Sequence, residues 1–224
     1  MTPRNPKAAE LWRTAKAVCF DVDSTVIQDE GIDVLAAFGG VGPQVAQLTA
    51  SAMGGAVPFE FALSQRLSLI RPSRAMVSKC LKAHPPRLTP GIGELIRRLH
   101  GRGTHVYLVS GGFRQMIDPV AKLVGVSPGR VIANVLVFNA DGTYKSFDTT
   151  QPTAASGGKA KALSQLKARF GYRPMVMVGD GATDLEARPP ADCFIGFGGV
   201  VQREKVMAGA DWFVTDFTEL SNAL

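Results

Sequence analysis

The chain predicts an α/β fold, a Rossmann-like doubly wound parallel sheet with a helical insertion after its first strand, and three observations carry that prediction. Short apolar runs at residues 17–22, 105–109, 175–178, 193–196 and 212–214 each end at Asp, Ser, Gly or Thr. Helical patterns separate most of them, which is the alternation expected of βα units with right-handed crossovers and a sheet covered on both faces. From about residue 28 to 86 no strand-like run occurs at all.

Taken in order, residues 17–22 supply the Val, Cys and Phe that a strand buried on both faces demands. Residues 32–38, 45–53 and 59–70 read as helices, punctuated by Gly39-Gly40, Gly54-Gly55 and Pro72. Pro90-Gly91 starts a helix over 92–100, and the strand 105–109 leads into a helix over 113–123. Residues 131–147 alternate apolar and polar on either side of Asn139-Ala140-Asp141-Gly142, which predicts a β-hairpin. Helices over 159–170 and 201–208 complete the pattern. The expected division is a core domain of residues 1–27 and 87–224 with a helical cap domain of residues 28–86, placed to lie over the mouth of any site at the first strand.

At 224 residues the chain suits one α/β domain with a large insertion. Hydrophobic residues at 46% and charged ones at 20% are ordinary for a globular enzyme, and no run approaches the roughly eighteen unbroken apolar residues of a membrane span. Cys19, Cys80 and Cys193 are odd in number and widely spaced, which excludes a disulfide framework or Cys-x-x-Cys metal site and predicts a reducing compartment. The first residues carry no apolar secretory core; the cytoplasm is expected, with an organelle such as the plastid left open should a presequence have been removed. The net charge of +6 concentrates between Arg66 and Arg102, where nine Lys/Arg face the single acid Glu94. That segment favours anions, but it lacks interleaved aromatic residues for stacking on bases, so a nucleic-acid partner is not expected. His84, His100 and His105 receive no role.

Four strand-end segments carry the chemistry. Asp21 and Asp23 close the first strand and project to one side while the chain is extended; two acids there are costly without a cation or a phosphate ester and its cationic partners. Ser110-Gly111-Gly112 precedes a helix, where a hydroxyl and backbone N–H groups can grip phosphate oxygens. Lys159, at a helix start, can place an ammonium on that phosphate or beside Asp21. Gly179-Asp180-Gly181-Ala182-Thr183-Asp184 sets two acids four residues apart in a strand-to-helix turn, able to converge on one hard cation. Each alone reads equally as a cap or a surface group; together, in this order, they do not.

With these four motifs the chain resembles the haloacid dehalogenase superfamily of aspartate-nucleophile phosphohydrolases, a resemblance that sharpens the fold class to a core of that type. Within it, residues 20–27, 30–33, 52–59, 151–154, 156–159 and 194–199 are similar to the phosphoserine phosphatase family. The resemblance implies a Mg²⁺-dependent hydrolase of O-phosphoserine, with Asp21 as nucleophile, Asp23 as general acid and base, and Lys159 beside them. It implies a metal held by Asp21, the Asp23 backbone carbonyl and Asp180, with Asp184 one layer further out. Substrate contacts fall to Glu30, Met53, Gly54, Phe59, Arg66, Ser110, Gly111, Gly112, Asn134, Lys159 and Thr183, Arg66 forking onto the α-carboxylate and Glu30 accepting from the α-ammonium. A homodimer stays open. So do a phosphotransferase passing the group to another alcohol, and a long-lived phospho-acceptor switch, from which the base Asp23 sets this chain apart.

Overall fold

The computed structural model describes residues 5–52 and 57–224, with side chains of 50–52 excepted. Its sheet is made of β1 (Ala17–Phe20), β2 (His105–Phe113), β3 (Val131–Asn134), β6 (Met175–Gly179), β7 (Cys193–Phe197) and β8 (Trp212–Val214), in the order β3-β2-β1-β6-β7-β8. Every neighbouring pair is parallel. The remaining strands, β4 (Leu136–Phe138) and β5 (Tyr144–Phe147), form a separate antiparallel hairpin. The helices are α1 (Ala8–Arg13), α2 (Gly31–Phe38), α3 (Gly42–Ala52), α4 (Phe59–Ile70), α5 (Arg74–Ala83), α6 (Ile92–Gly101), α7 (Arg114–Leu123), α8 (Gly158–Phe170), α9 (Ala182–Leu185), α10 (Glu204–Gly209) and α11 (Phe217–Asn222).

Side chains alternate across a strand, and the two faces of this sheet bury different sets accordingly. Val18 and Phe20 face the layer of α1, α6, α7 and α11, packing with Trp12, Leu95, Leu99 and Leu220. Ala17 and Cys19 face the opposite layer, with Leu163 and Leu166 of α8 and Phe194 of β7. Phe217 closes the first layer, stacked on Phe197 with centroids 4.1 Å apart and edge-on to Phe20 at 6.3 Å.

The chain runs β1-β2-β3 to one side and resumes at β6-β7-β8 on the other, so strand order reverses between β1 and β6. A crevice opens beyond the carboxyl ends of strands at such a point. Asp21 and Asp180 both lie there, and the Asp21 N–H donates to the Val178 carbonyl at 2.9 Å.

Helices α2–α5 form a cluster of their own, in which Leu35, Leu63, Leu67, Val77 and Cys80 pack against Phe113 and Leu136. Two adjacent chain segments tie it to the sheet: Ile27 bridges Leu88, the Gln28 N–H donates to the Arg87 carbonyl at 2.9 Å, and Arg87 pairs with Asp29.

Three expectations need correction. The run 131–147 is not one hairpin: β3 joins the main sheet beside β2, and only β4 and β5 pair with each other. A period of two is common to both outcomes, and the partner is chosen by burial of Val131 and Ala133 beneath α7. Helix α5, unread in the sequence, is started by Ser73, whose hydroxyl accepts from the Met76 N–H at 3.1 Å. Helix α10 begins at Glu204 rather than near 201, because Arg203 is extended.

Replacing Phe217 by Ala removes two ring contacts from a fully buried site. We expect an unfolding free energy lower by about 3–5 kcal/mol in urea titrations.

Candidate active site

Strand β1 ends in a tight turn, Val22–Val26, that places two acids differently although they are only two residues apart. Asp21 Oδ1 accepts from the Val22 N–H at 2.7 Å and meets Lys159 Nζ at 2.8 Å. Its Oδ2 accepts no hydrogen bond among the described residues. The next residue but one turns the opposite way: Asp23 Oδ1 accepts from the Gly31 N–H at 2.7 Å, and Oδ2 from the Ser110 hydroxyl at 3.1 Å. Ser24 then takes a left-handed φ of 53° and donates to Glu30 Oε1 at 2.7 Å. A non-glycine residue in that region is uncommon and tends to mark a functional turn.

Lys159 enters from the first turn of α8, after Gly157 at φ 70°. Its ammonium lies buried between Asp21 and Asp184, 2.6 Å from Asp184 Oδ1. Asp184 is fully buried, and its other oxygen accepts from the Gly181 N–H at 2.9 Å. Asp180 accepts from Thr25 Oγ1 at 2.9 Å and from Arg203 Nε at 3.2 Å. One carboxylate oxygen each of Asp21, Asp180 and Asp184 lies within 4.8 Å of the others. Three hard oxygen donors with an open Asp21 oxygen suit a divalent cation of the Mg²⁺ type, which asks for few protein ligands and keeps water on its remaining positions. The side chain of Asp23 is not in this cluster.

Electrostatics separates the acids further. Burial, then the charge of Asp21, pushes the Asp23 carboxyl up to about 6. Glu30 rises to about 7, through burial first and then the charge of Asp23. Burial also raises Asp180, with the Asp21 charge adding to it and Thr25 and Arg203 opposing. Burial alone would lower Lys159, but the Asp184 and Asp21 carboxylates outweigh it and hold the ammonium above its ordinary range. Burial and Asp21 push Asp184 upward, against the short contact to Lys159.

Ser110, Gly111 and Gly112 extend β2 past its expected end into the same crevice. The Ser110 hydroxyl accepts from the Gly112 N–H at 2.8 Å, and Asn134, fully buried, donates to the Gly111 carbonyl at 2.9 Å. Asn134 is in turn held by the Thr153 hydroxyl at 2.9 Å. A Cβ at Gly112 would lie 2.9 Å from Asp23 Oδ2, too close for any other residue at this backbone position. The Phe59 ring covers Gly111 from α4. Arg66, half-buried on α4, donates from Nε to the Ala62 carbonyl at 3.2 Å; its two NH₂ groups hold no hydrogen bond among the described residues, and Asp33 and Glu30 lie near enough to act on its charge. Thr183 stands exposed on α9, one residue before Asp184, without a hydrogen bond from its side chain among the described residues. Met53 and Gly54 lie outside the described residues.

The structure therefore gathers Asp21, Asp23, Glu30, Phe59, Arg66, Ser110, Gly111, Gly112, Asn134, Lys159, Asp180 and Asp184 around one crevice. Sequence reasoning assigned no role to Thr25, Thr153 or Arg203, all of which fix site residues. Thr25 was within reach of it, being a hydroxyl in the first motif. Nothing local marks Arg203 among the chain's other basic residues.

The chain matches the family model described as haloacid dehalogenase-like hydrolase over residues 15–192. It is 57% identical over 214 residues to the phosphoserine phosphatase of Bos taurus, covering 96% of this chain and 95% of that one. To the chloroplastic phosphoserine phosphatase of Arabidopsis thaliana it is 54% identical over 217 residues, covering 96% of this chain and 74% of that one. Among solved structures, DsGPDH of Dunaliella salina superposes with a TM-score of 0.89 at 35% identity, covering 100% of this chain and 38% of that one. A phospho-aspartyl intermediate analogue of a phosphoserine phosphatase superposes at 0.80 with 28% identity, covering 94% and 99%.

Removing the ammonium strands two buried carboxylates. We expect Lys159→Ala to lower unfolding free energy by about 3–5 kcal/mol at pH 8, measured in urea, and by less at pH 5, where a raised Asp184 takes up a proton.

Proposed function

The chain belongs to the phosphoserine phosphatases, within the haloacid dehalogenase-like hydrolases, and from that premise we propose that it hydrolyses O-phospho-L-serine to L-serine and phosphate through an aspartyl phosphate on Asp21. The observation that carries the reading is the division of labour at the end of β1: Asp21 is paired with a buried ammonium, whereas Asp23 is pushed up to about 6. Paired acids whose surroundings drive their protonation apart are assigned as nucleophile and proton carrier.

In the first step the Asp21 carboxylate attacks phosphorus and the ester bond to the serine oxygen breaks. Protonated Asp23 supplies that oxygen's proton, so serine leaves as the alcohol. In the second step ionised Asp23 takes a proton from water, which attacks the aspartyl phosphate and returns Asp21. Lys159, the Ser110 hydroxyl and the Gly111 N–H would bind the phosphoryl oxygens, where charge is stabilised by preorganised donors, while the Gly112 N–H holds the Ser110 hydroxyl. A Mg²⁺ ion held by Asp21, the Asp23 carbonyl and Asp180 would neutralise phosphoryl charge, with Asp184 keeping Lys159 in place.

Residues 28–86 act in this reading as a cap over the core of residues 1–27 and 87–224. Glu60 on α4 accepts from the backbone and hydroxyl of Ser156, three residues before Lys159, which gives the cap a hold on the core beside the site. Within the cap, Arg66, whose NH₂ groups hold no hydrogen bond among the described residues, would take the α-carboxylate and Glu30 the α-ammonium, with Met53 and Gly54 as further contacts and Thr183 joining them from the core. Three buried free cysteines suit a reducing compartment, and we place the protein in the cytoplasm, where its product makes it the last step of serine biosynthesis. No helix among the described residues is long and apolar enough to cross a membrane.

Phosphate release from phosphoserine, phosphothreonine and phosphoethanolamine tests the reading. Phosphoserine should be preferred and chelation should abolish turnover; preference for phosphoethanolamine would sink the substrate assignment. Arg66→Ala should raise KM for phosphoserine by about 10–100-fold while leaving phosphoethanolamine nearly unchanged. In single-turnover work, formation of the phosphoenzyme should fall as pH rises through about 6, since its acid is lost, and its hydrolysis should fall as pH drops through the same value. Asp23→Asn should remove both limbs, and retention of either would exclude Asp23 from the proton transfers.

A further inference from the structure

At the opposite end of β2 from Ser110, about 17 Å away along the strand, lies a cavity of 460 Å³ that the chemistry above does not use. His105, Tyr107 and Arg130 line it, with Phe170 and Tyr172 from the segment that ends α8. Arg130 donates to His105 Nδ1 at 2.8 Å and lies over the Tyr107 ring, 5.9 Å from its centroid. Among the described residues no carboxylate comes within 4.0 Å of that guanidinium.

His100 lies close to Arg130 and His105 without lining the cavity. His100 has a buried Nε2 without a hydrogen-bond partner, and burial followed by Arg130 and His105 pushes its pKa down. His105 is lowered in the same way, by burial and then Arg130. Because His105 Nδ1 accepts from Arg130, its ring proton sits on Nε2, free to donate. Phe170 stacks on Tyr172, centroids 5.3 Å apart at 29°, and the Arg169 guanidinium lies over its ring 5.0 Å from the centroid, yet it remains 47% exposed. The Tyr172 and Tyr107 hydroxyls meet at 3.0 Å, which holds the platform rigid.

A sheltered guanidinium with no acid beside it and an exposed ring on a fixed support are the two halves of one recognition surface. We infer that this cavity is a second ligand site, for a small molecule that joins an anionic group to a flat aromatic ring, the anion on Arg130 and His105 and the ring on Phe170. The site is independent of the phosphatase assignment, since none of its residues touches the crevice.

A phosphate-free probe keeps the two sites apart. Titrating the ¹⁵N-labelled full chain with 2-naphthoate should give saturable amide shifts at residues 105–107, 127, 129, 130 and 170–172. Arg130→Gln should weaken binding by about tenfold or more with phosphoserine turnover unchanged, and Phe170→Ala, at an exposed position that the fold does not need, by several-fold. Cyclohexanecarboxylate and 2-naphthol, each lacking one half of the probe, should bind about tenfold more weakly. Shifts confined to the Asp21 crevice would overturn the inference. So would the absence of saturable binding up to about 10 mM, or naphthoate affinity unaltered in both variants.

Discussion

An ammonium buried between two buried carboxylates sits at the centre of this structure: Lys159 lies 2.8 Å from Asp21 and 2.6 Å from Asp184. Neither charge could stand there alone, because an unpaired ion in the interior costs several kcal/mol even after relaxation. The arrangement is stable only if three distant pieces of chain, the end of β1, the start of α8 and the turn after β6, arrive together. A sheet whose order reverses between β1 and β6 brings them there, since all three lie beyond the carboxyl ends of its central strands.

From that cluster the other features follow. With Asp21 held by Lys159, the Asp21 charge falls on neighbouring acids, and Asp23, buried and turned toward Gly31 and Ser110, keeps its proton to about pH 6. The same turn brings Ser24 into contact with Glu30, so the end of the first strand and the start of the helical insertion are bound together by two hydrogen bonds spanning 6 and 8 residues. Gly112 has to be glycine for the same reason, as a Cβ would press on Asp23 and Ser110. Asn134 and Thr153 then hold the Gly111 backbone from behind, making the edge of the sheet part of the site's rigidity. The second cavity lies at the other end of β2, where the Arg130 guanidinium meets no carboxylate among the described residues.

Much of this was legible in the chain itself. Asp21, Ser110, Lys159, Asp180 and Asp184 could be read because each sits in a strand-end or helix-start segment whose local pattern is distinctive, and the order of the segments made the combination specific. Phe59, which covers Gly111, and Arg66, near enough to Asp33 and Glu30 to feel their charge, needed the resemblance as well, because a helical Phe or Arg has no local signal of its own. Helix α5 went unread although Ser73 caps it well, because Pro72 just before it reads as a break in the helical run. Thr25, Thr153 and Arg203 were given no part for a different reason: their partners lie 155, 19 and 23 residues away.

By itself, then, the sequence determined the class of sheet, the helical nature of the insertion and the motifs that meet at the crevice, because periodicity, turn residues and residue chemistry are local properties. Tertiary structure alone decided that residues 131–134 join the main sheet rather than a hairpin, that Arg203 braces Asp180, and that Asp23 turns away from the acidic cluster it was drawn beside in the extended strand. Each of these depends on which distant surface buries a side chain or accepts its hydrogen bond, and a pattern of period two or a single charge does not encode its partner.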